Sequence, residues 1–165
     1  MIRRHRGQQL VRLAAVPLAA ASACILGIGI AMAEQPHNQF SPQLVAQLQQ
    51  QKEIYVATTR KDGKRSSVVP VWFGYMDDAI WFTTGPKSYK GRRVRHGSPV
   101  FVSVQGKDGP LIETKAEIVK DPAMAQRLGE LYSRKYWIAW VGFFRPTRAR
   151  VESGKVIMLR LTPAE

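Results

Sequence analysis

Apolar and polar residues alternate from Glu53 to Arg60, with Ile54, Val56 and Thr58 on one side of an extended segment. Lys61-Asp62-Gly63-Lys64 reads as a hairpin turn, and Ser66 to Tyr75 as the returning strand. Asp77-Asp78 turns the chain into a third strand, Ala79 to Thr84, which Gly85-Pro86 ends. Further strands are predicted over Pro99–Gln105 and Leu111–Val119, joined by the turn Gly106-Lys107-Asp108-Gly109. A closing hairpin is expected from Thr147–Val151 and Lys155–Leu161 around Ser153-Gly154.

Helical spacing interrupts this pattern three times. Ser41-Pro42 supplies a cap and a first-turn proline ahead of Leu44, Val45 and Leu48, predicting a helix over 42–52. Residues 88–96 predict one or two helical turns, capped by Ser88 and ended by Gly97. Asp121-Pro122 opens a third helix through about Tyr132, with Met124, Leu128 and Leu131 on one face. The aromatic stretch from Tyr136 to Arg145 fits neither period. Six or seven short strands with two or three helices predict a mainly β fold, a small closed or split β-barrel. Closing a barrel removes the exposed strand edges that invite aggregation. The aromatics Trp137, Trp140, Phe143 and Phe144 are many for one small core, so a dimer interface is expected to take some of them.

The first 33 residues stand apart from that domain. Arg3, Arg4, Arg6 and Arg12 precede an uncharged stretch from Leu13 to Ala33 that ends Ala31-Met32-Ala33, the small-x-small pattern of a secretory cleavage site. The reading is a signal peptide over 1–33, a linker over 34–41 and a domain over 42–165, exported to a periplasm or beyond. The alternative is a retained membrane anchor, and Arg3-Arg4 leaves open Sec or twin-arginine export. Without those four arginines the remainder carries 21 Lys and Arg against 12 Asp and Glu, so the basic character belongs to the domain. Such charge favours anionic partners. The single cysteine, Cys24, lies in the leader, which excludes thiolate catalysis and Cys-ligated metal from the exported domain.

The charge concentrates in one place. Between Thr83-Thr84 and Pro99, Lys87, Lys90, Arg92, Arg93, Arg95 and His96 occur with no acid among them. Lysine ammoniums, the Ser88 hydroxyl and amides at a helix start are suitable donors to a phosphate. Arg92, Arg93 and Arg95 read mainly as a solvated helical face. Thr83 and Thr84 suit the edge of a polar ring system, and Pro70 within a strand implies an edge or a bulge because it cannot donate to a ladder. Trp72 and Trp81 are expected in the core or as a cofactor wall. No side chain presents itself as a general acid, base or nucleophile, and no metal-ligand spacing occurs.

In order along the chain, "IYVATTRKDGKRSSVVPVWFGY", "IWFTTGPKSYKGRRVRHGSPVFVSV", "AEIVKDPAMAQRLGELYSRKY" with its Lys-Tyr pair, and "KVIMLRLTP" resemble the FMN-binding split-barrel superfamily. That group includes pyridoxamine 5'-phosphate oxidase-like proteins and flavin- or deazaflavin-dependent oxidoreductases. The resemblance implies a six-stranded, Greek-key split barrel working as a homodimer, with non-covalent FMN in the interface. It implies that Arg65, Ser67, Val68, Val69, Pro70, Val71 and Trp72 line the flavin, that Thr83 and Thr84 meet its ring and ribityl chain, and that Lys87, Ser88 and Lys90 hold its phosphate. No histidine follows His96, whereas true pyridoxamine-phosphate oxidases carry an Arg-x-His pair near the C-terminus. Val69-Pro70-Val71-Trp72 looks more like the reductase branch, some members of which use deazaflavin F-420.

The function that follows is an exported FMN-dependent oxidoreductase acting on a small-molecule redox substrate, in which the flavin supplies the chemistry and the protein positions it. The alternatives are a deazaflavin-dependent reductase and a non-catalytic holder of flavin or heme. A single-strand nucleic-acid binder would also suit the charge, but an export signal argues against it. No membrane attachment is expected after cleavage.

Overall fold

The computed structural model describes residues 39–137 and 145–164. The expected leader, most of the linker, and Trp140, Phe143 and Phe144 lie outside the described residues.

Helix α1 spans Pro42–Gln50, where the Ser41 Oγ accepts the Leu44 N–H and Pro42 fills a first-turn position. Leu44 and Leu48, one turn apart, are buried. Strand β1 (Glu53–Thr58) pairs antiparallel with β2 (Val69–Trp72) across the predicted hairpin. Next come β3 (Gly74–Met76), β4 (Ala79–Thr84), α2 (Tyr89–Arg95), β5 (Val100–Ser103) and β6 (Ile112–Val119). Helix α3 (Pro122–Lys135), α4 (Arg148–Glu152) and β7 (Ile157–Pro163) complete the order. The Asp121 carboxylate caps α3 by accepting the Ala123 and Met124 amides.

The strands form one antiparallel sheet in the order β2-β1-β5-β6-β7-β4-β3. Its two edge strands, β2 and β3, are consecutive in the chain and separated by Phe73 alone, so the sheet curls until it nearly closes. The described residues form seven strands where the resemblance implied six. The predicted strand 66–75 supplies two of them, because Trp72 pairs with Glu53 of β1 whereas Gly74 pairs with Trp81 of β4. The backbone of Phe73 leaves both ladders, and its N–H donates 3.0 Å to the Tyr136 hydroxyl instead.

The expected hairpin at 147–161 is also corrected. Residues 148–152 are the helix α4, capped by the Thr147 hydroxyl on the Arg150 N–H, and Ser153-Gly154 end that helix. Burial of Val151 against α3 and β7 side chains overrides its preference for a strand.

Alternation sorts the side chains. Ile54 and Val56, Ile80 and Phe82, Val100 and Val102, and Leu159 and Leu161 point into the barrel with Phe73. Leu44 and Leu48 of α1 and Val94 of α2 complete that core. Burying one such leucine or phenylalanine contributes roughly 1.5–3 kcal/mol. On the outer face Ala79, Trp81 and Met158 meet Ala125, Leu128 and Tyr132 of α3. Trp81 is therefore core, and its indole N–H donates to the Met76 carbonyl at 3.0 Å.

Candidate functional site

Upstream of Phe73 the free edge of β2 diverges from β4 and leaves a slot of about 380 Å³. Glu53, Pro70, Val71, Trp72, Thr83 and Tyr132 line it. Pro70 sits on this edge, where a missing N–H breaks no ladder bond. The Tyr132 hydroxyl, carried by α3, donates to the Trp72 carbonyl at 2.6 Å and so ties the base of the slot together. Burial pushes the Tyr132 phenol well above its ordinary pKa, while hydrogen bonding from Thr83 acts in the opposite sense.

One wall is aromatic. The Trp72 and Tyr136 rings stack at 4.3 Å with 7° between planes, and Tyr132 meets both rings edge-on. The Tyr136 hydroxyl, besides accepting from Phe73, donates to the Lys52 carbonyl. Beside it the Lys135 ammonium lies 3.4 Å from the Phe73 ring centroid and donates to the Phe73 carbonyl at 3.3 Å. Burial lowers its pKa to about 8. Lys135, Tyr136, Trp137 and Trp72 also border a second hollow of about 690 Å³ that shares Glu53 with the slot.

Of the residues expected at the site, Pro70, Val71, Trp72 and Thr83 converge on the slot. Val69 and Val71 also pack against the barrel core. Thr84 and Ser88 form a second group, their hydroxyls 2.9 Å apart. The Ser88 Oγ accepts the Gly91 N–H at 3.0 Å as the cap of α2, so it already has a structural task. Lys87 is exposed on the same turn. Lys90 is half buried, and desolvation lowers its pKa. Arg65 lies elsewhere: it pairs with Thr59, and its guanidinium stacks 4.4 Å from the Phe101 ring on the β5 flank. Ser67 and Val68 are not part of the slot lining.

The arginines of α2 are not equivalent. Arg92 and Arg95 are exposed, as a solvated face requires. Arg93 is half buried, with Nη1 donating 3.0 Å to the Thr58 hydroxyl at the end of β1.

Sequence reasoning passed over Tyr132, Tyr136 and Lys135. The Lys-Tyr pair was visible within the family pattern, but nothing local shows that its tyrosine reaches a backbone 63 positions away.

Residues 40–165 match the pyridoxamine 5'-phosphate oxidase family. No curated protein matches the sequence. Among solved structures, a conserved hypothetical protein of Mycobacterium tuberculosis is 21% identical over 80% of this chain and 86% of its own, with a TM-score of 0.55. The heme storage protein of Vibrio cholerae is 12% identical over 77% of this chain and 92% of its own, at 0.54. An FAD-binding protein of Mesorhizobium loti is 15% identical over 76% and 91%, at 0.51. These likenesses show a shared fold.

Proposed function

The chain belongs to the pyridoxamine 5'-phosphate oxidase family, and from that premise we propose that it is an exported oxidoreductase that holds FMN in the slot between β2 and β4. The observation that carries this reading is the slot itself. Its wall is apolar and aromatic at Pro70, Val71 and Trp72, with the Thr83 side chain opposite, a combination suited to a flat ring with polar edges. Thr83 leads through Thr84 to the turn bearing Lys87 and Lys90. Lys90 is a half-buried cation that no carboxylate among the described residues pairs with. An anion beside it would offset the cost of its desolvation, so this turn fits a phosphate.

When bound, the flavin supplies hydride or electron transfer to a small-molecule substrate. This chain's own residues bind and orient it. The Trp72 and Tyr132 side chains close the base of the slot and exclude water there, and Lys87 and Lys90 meet the anionic end. The slot is shallow, and a second copy of the chain would cover it. Trp137, 84% exposed beside the neighbouring hollow, is a suitable contact for that copy. Light scattering of the cofactor-loaded protein tests this: a monomer counts against the shared site.

A second reading keeps the fold and drops the turnover. The heme storage protein of Vibrio cholerae has the same architecture, and His96, the one histidine among the described residues, borders a basic cleft. In that reading the protein stores heme or flavin. A deazaflavin in the slot is the third form of the coenzyme that the family's chemistry admits. The visible spectrum of the purified protein, followed by mass identification of the released ligand, separates these cases. A flavin band with turnover of a redox substrate supports the oxidoreductase, a Soret band or a flavin band without turnover supports storage, and a colourless protein that takes up neither ligand overturns both.

A further inference from the structure

The hollow of about 690 Å³ beside the slot carries chemistry that holding a flavin does not use. The end of α1, the start of β1, the turn after β5 and the end of α3 border it. The carboxylate on its lining is engaged: Glu53 accepts the Tyr55 hydroxyl at 3.0 Å. Its half-buried cation has no such partner. The Lys135 ammonium gives one N–H to the Phe73 carbonyl and meets no carboxylate among the described residues. Two of its three N–H donors remain for a ligand. An ammonium taken partly out of water without a counter-ion is costly, and the Phe73 ring beside it offsets only part of that cost. Two positions on, Trp137 leaves its indole 84% exposed on the same lining. An aromatic face open to water next to an unpaired cation suits a planar anion.

The charge balance limits what that anion is. One ammonium with two free N–H groups matches the two oxygens of a carboxylate. A phosphate dianion would set a second negative charge near Glu53, with only exposed, screened Lys52 to meet it. The volume lies in the range of small-molecule sites. We propose that this hollow is the substrate site and that the substrate is a small planar conjugated carboxylate, its anion on Lys135 and its ring on Trp137. The hollow and the slot have Glu53 and Trp72 in common, so a ligand here adjoins whatever the slot holds. Its role as substrate rests on the flavin reading above; its binding does not. An indole has two faces, so a second copy of the chain against one of them leaves the other for the ligand.

Isothermal titration of the FMN-loaded protein tests this with three probes. They are trans-cinnamate, cinnamyl alcohol, which keeps the ring without the charge, and cyclohexanecarboxylate, which keeps the charge without the planar ring. Cinnamate should bind at least about tenfold more tightly than either. Lys135→Met should remove its advantage over the alcohol and leave alcohol affinity within about twofold, which also reports a folded variant. Lys135→Arg should keep most of that advantage. Trp137→Ala, at an exposed position, should instead remove the advantage over cyclohexanecarboxylate. Burial lowers the Lys135 pKa to about 8, so cinnamate affinity should fall between about pH 7 and about pH 9 in the parent and not in Lys135→Met. The flavin absorption band should shift as cinnamate fills the hollow. Equal affinity for cinnamate and cinnamyl alcohol in the parent overturns the inference and leaves the flavin slot standing. A preference that survives Lys135→Met overturns it too. So does mutual displacement of cinnamate and FMN, which would put both ligands in the slot. Cinnamate binding through Lys135 in a protein that takes up no FMN keeps the binding site but overturns its role as a substrate site, together with the reading beneath it.

Discussion

The Tyr132 hydroxyl donates to the Trp72 carbonyl at 2.6 Å, across 60 positions of sequence. This bond joins α3 to the last residue of β2, where the strand ends and the barrel begins to part. Tyr132 is 1% exposed, so water cannot take its place without rearrangement. Tyr132→Phe keeps the ring contacts with Trp72 and Tyr136 and removes the hydroxyl, both as donor to Trp72 and as acceptor for Thr83. The expected cost is about 1–3 kcal/mol, the range for stranding a buried carbonyl. Urea denaturation should show a lower midpoint at unchanged slope. A variant as stable as the parent would mean that the carbonyl finds another partner.

Gly129 faces the chain that follows the aromatic stretch. A Cβ at this position would lie 2.3 Å from the Pro146 carbonyl oxygen, a backbone atom that cannot swing aside. Gly129→Ala gains up to about 1 kcal/mol of helix propensity. The overlap costs about 1–3 kcal/mol, and at this distance the upper end applies. The net effect is destabilisation. Gly85→Ala is the control: a Cβ there would meet nothing within 4 Å, so it should stay within about 0.5 kcal/mol of the parent. Thermal melts of the two variants distinguish the cases.

Much of this architecture was legible because its signals are local. Ser41-Pro42, Ser88 with Gly97, and Asp121-Pro122 mark their helices through contacts within three residues. Gly97 follows α2 at φ 80, a conformation that a residue with a Cβ rarely adopts. Pro70 announced an edge strand because it lacks a donor. The break at Phe73 had no such signal, since β2 and β3 read as one alternating run until a hydroxyl from position 136 takes the Phe73 N–H. Arg65 makes a contact that its sequence neighbourhood does not signal either. Its neighbours in sequence lead into β2, yet its guanidinium is drawn to Phe101 on another strand. The slot was half legible: Pro70, Trp72 and Thr83 were readable from their strands, whereas Tyr132 comes from a helix whose docking is tertiary.

Lys135 makes stability depend on pH in a definite direction. Burial lowers its pKa from 10.5 to about 8, so the protonated ammonium is the form that folding disfavours. Below pH 8 the folded and unfolded chains both hold the proton, and the penalty is fully present. Between about 8 and 10.5 the unfolded chain binds more protons, so this group's contribution raises stability as pH increases. Above that window the contribution is level. Lys135→Met removes the titration. Denaturation midpoints measured across the window should rise less for the variant than for the parent. Parallel curves would mean that the ammonium is solvated despite its place against Phe73.

Lys90 should decide how the protein distinguishes FMN from riboflavin, which has the same ring without the phosphate. Two charge-assisted contacts are in reach of that turn, from Lys87 and Lys90, each worth roughly 1.5–3 kcal/mol when well formed. Lys87 is exposed and screened by salt, so most of the difference should come from half-buried Lys90. FMN is therefore expected to bind about two orders of magnitude more tightly than riboflavin. Lys90→Ala should lose at least half of that gap on the logarithmic scale while leaving riboflavin affinity unchanged. Ser88→Ala is a poor probe, because it also removes the cap of α2. Arg95→Ala is the better control: Arg95 is exposed, with the Pro86 carbonyl 3.5 Å away as its contact, and its removal should change neither affinity by more than about twofold. Fluorescence titration of both flavins into the three proteins at two salt concentrations gives every value needed. A parent that binds FMN and riboflavin equally would mean that the cations after Thr84 form only a solvated face, and the phosphate would then have to be sought elsewhere.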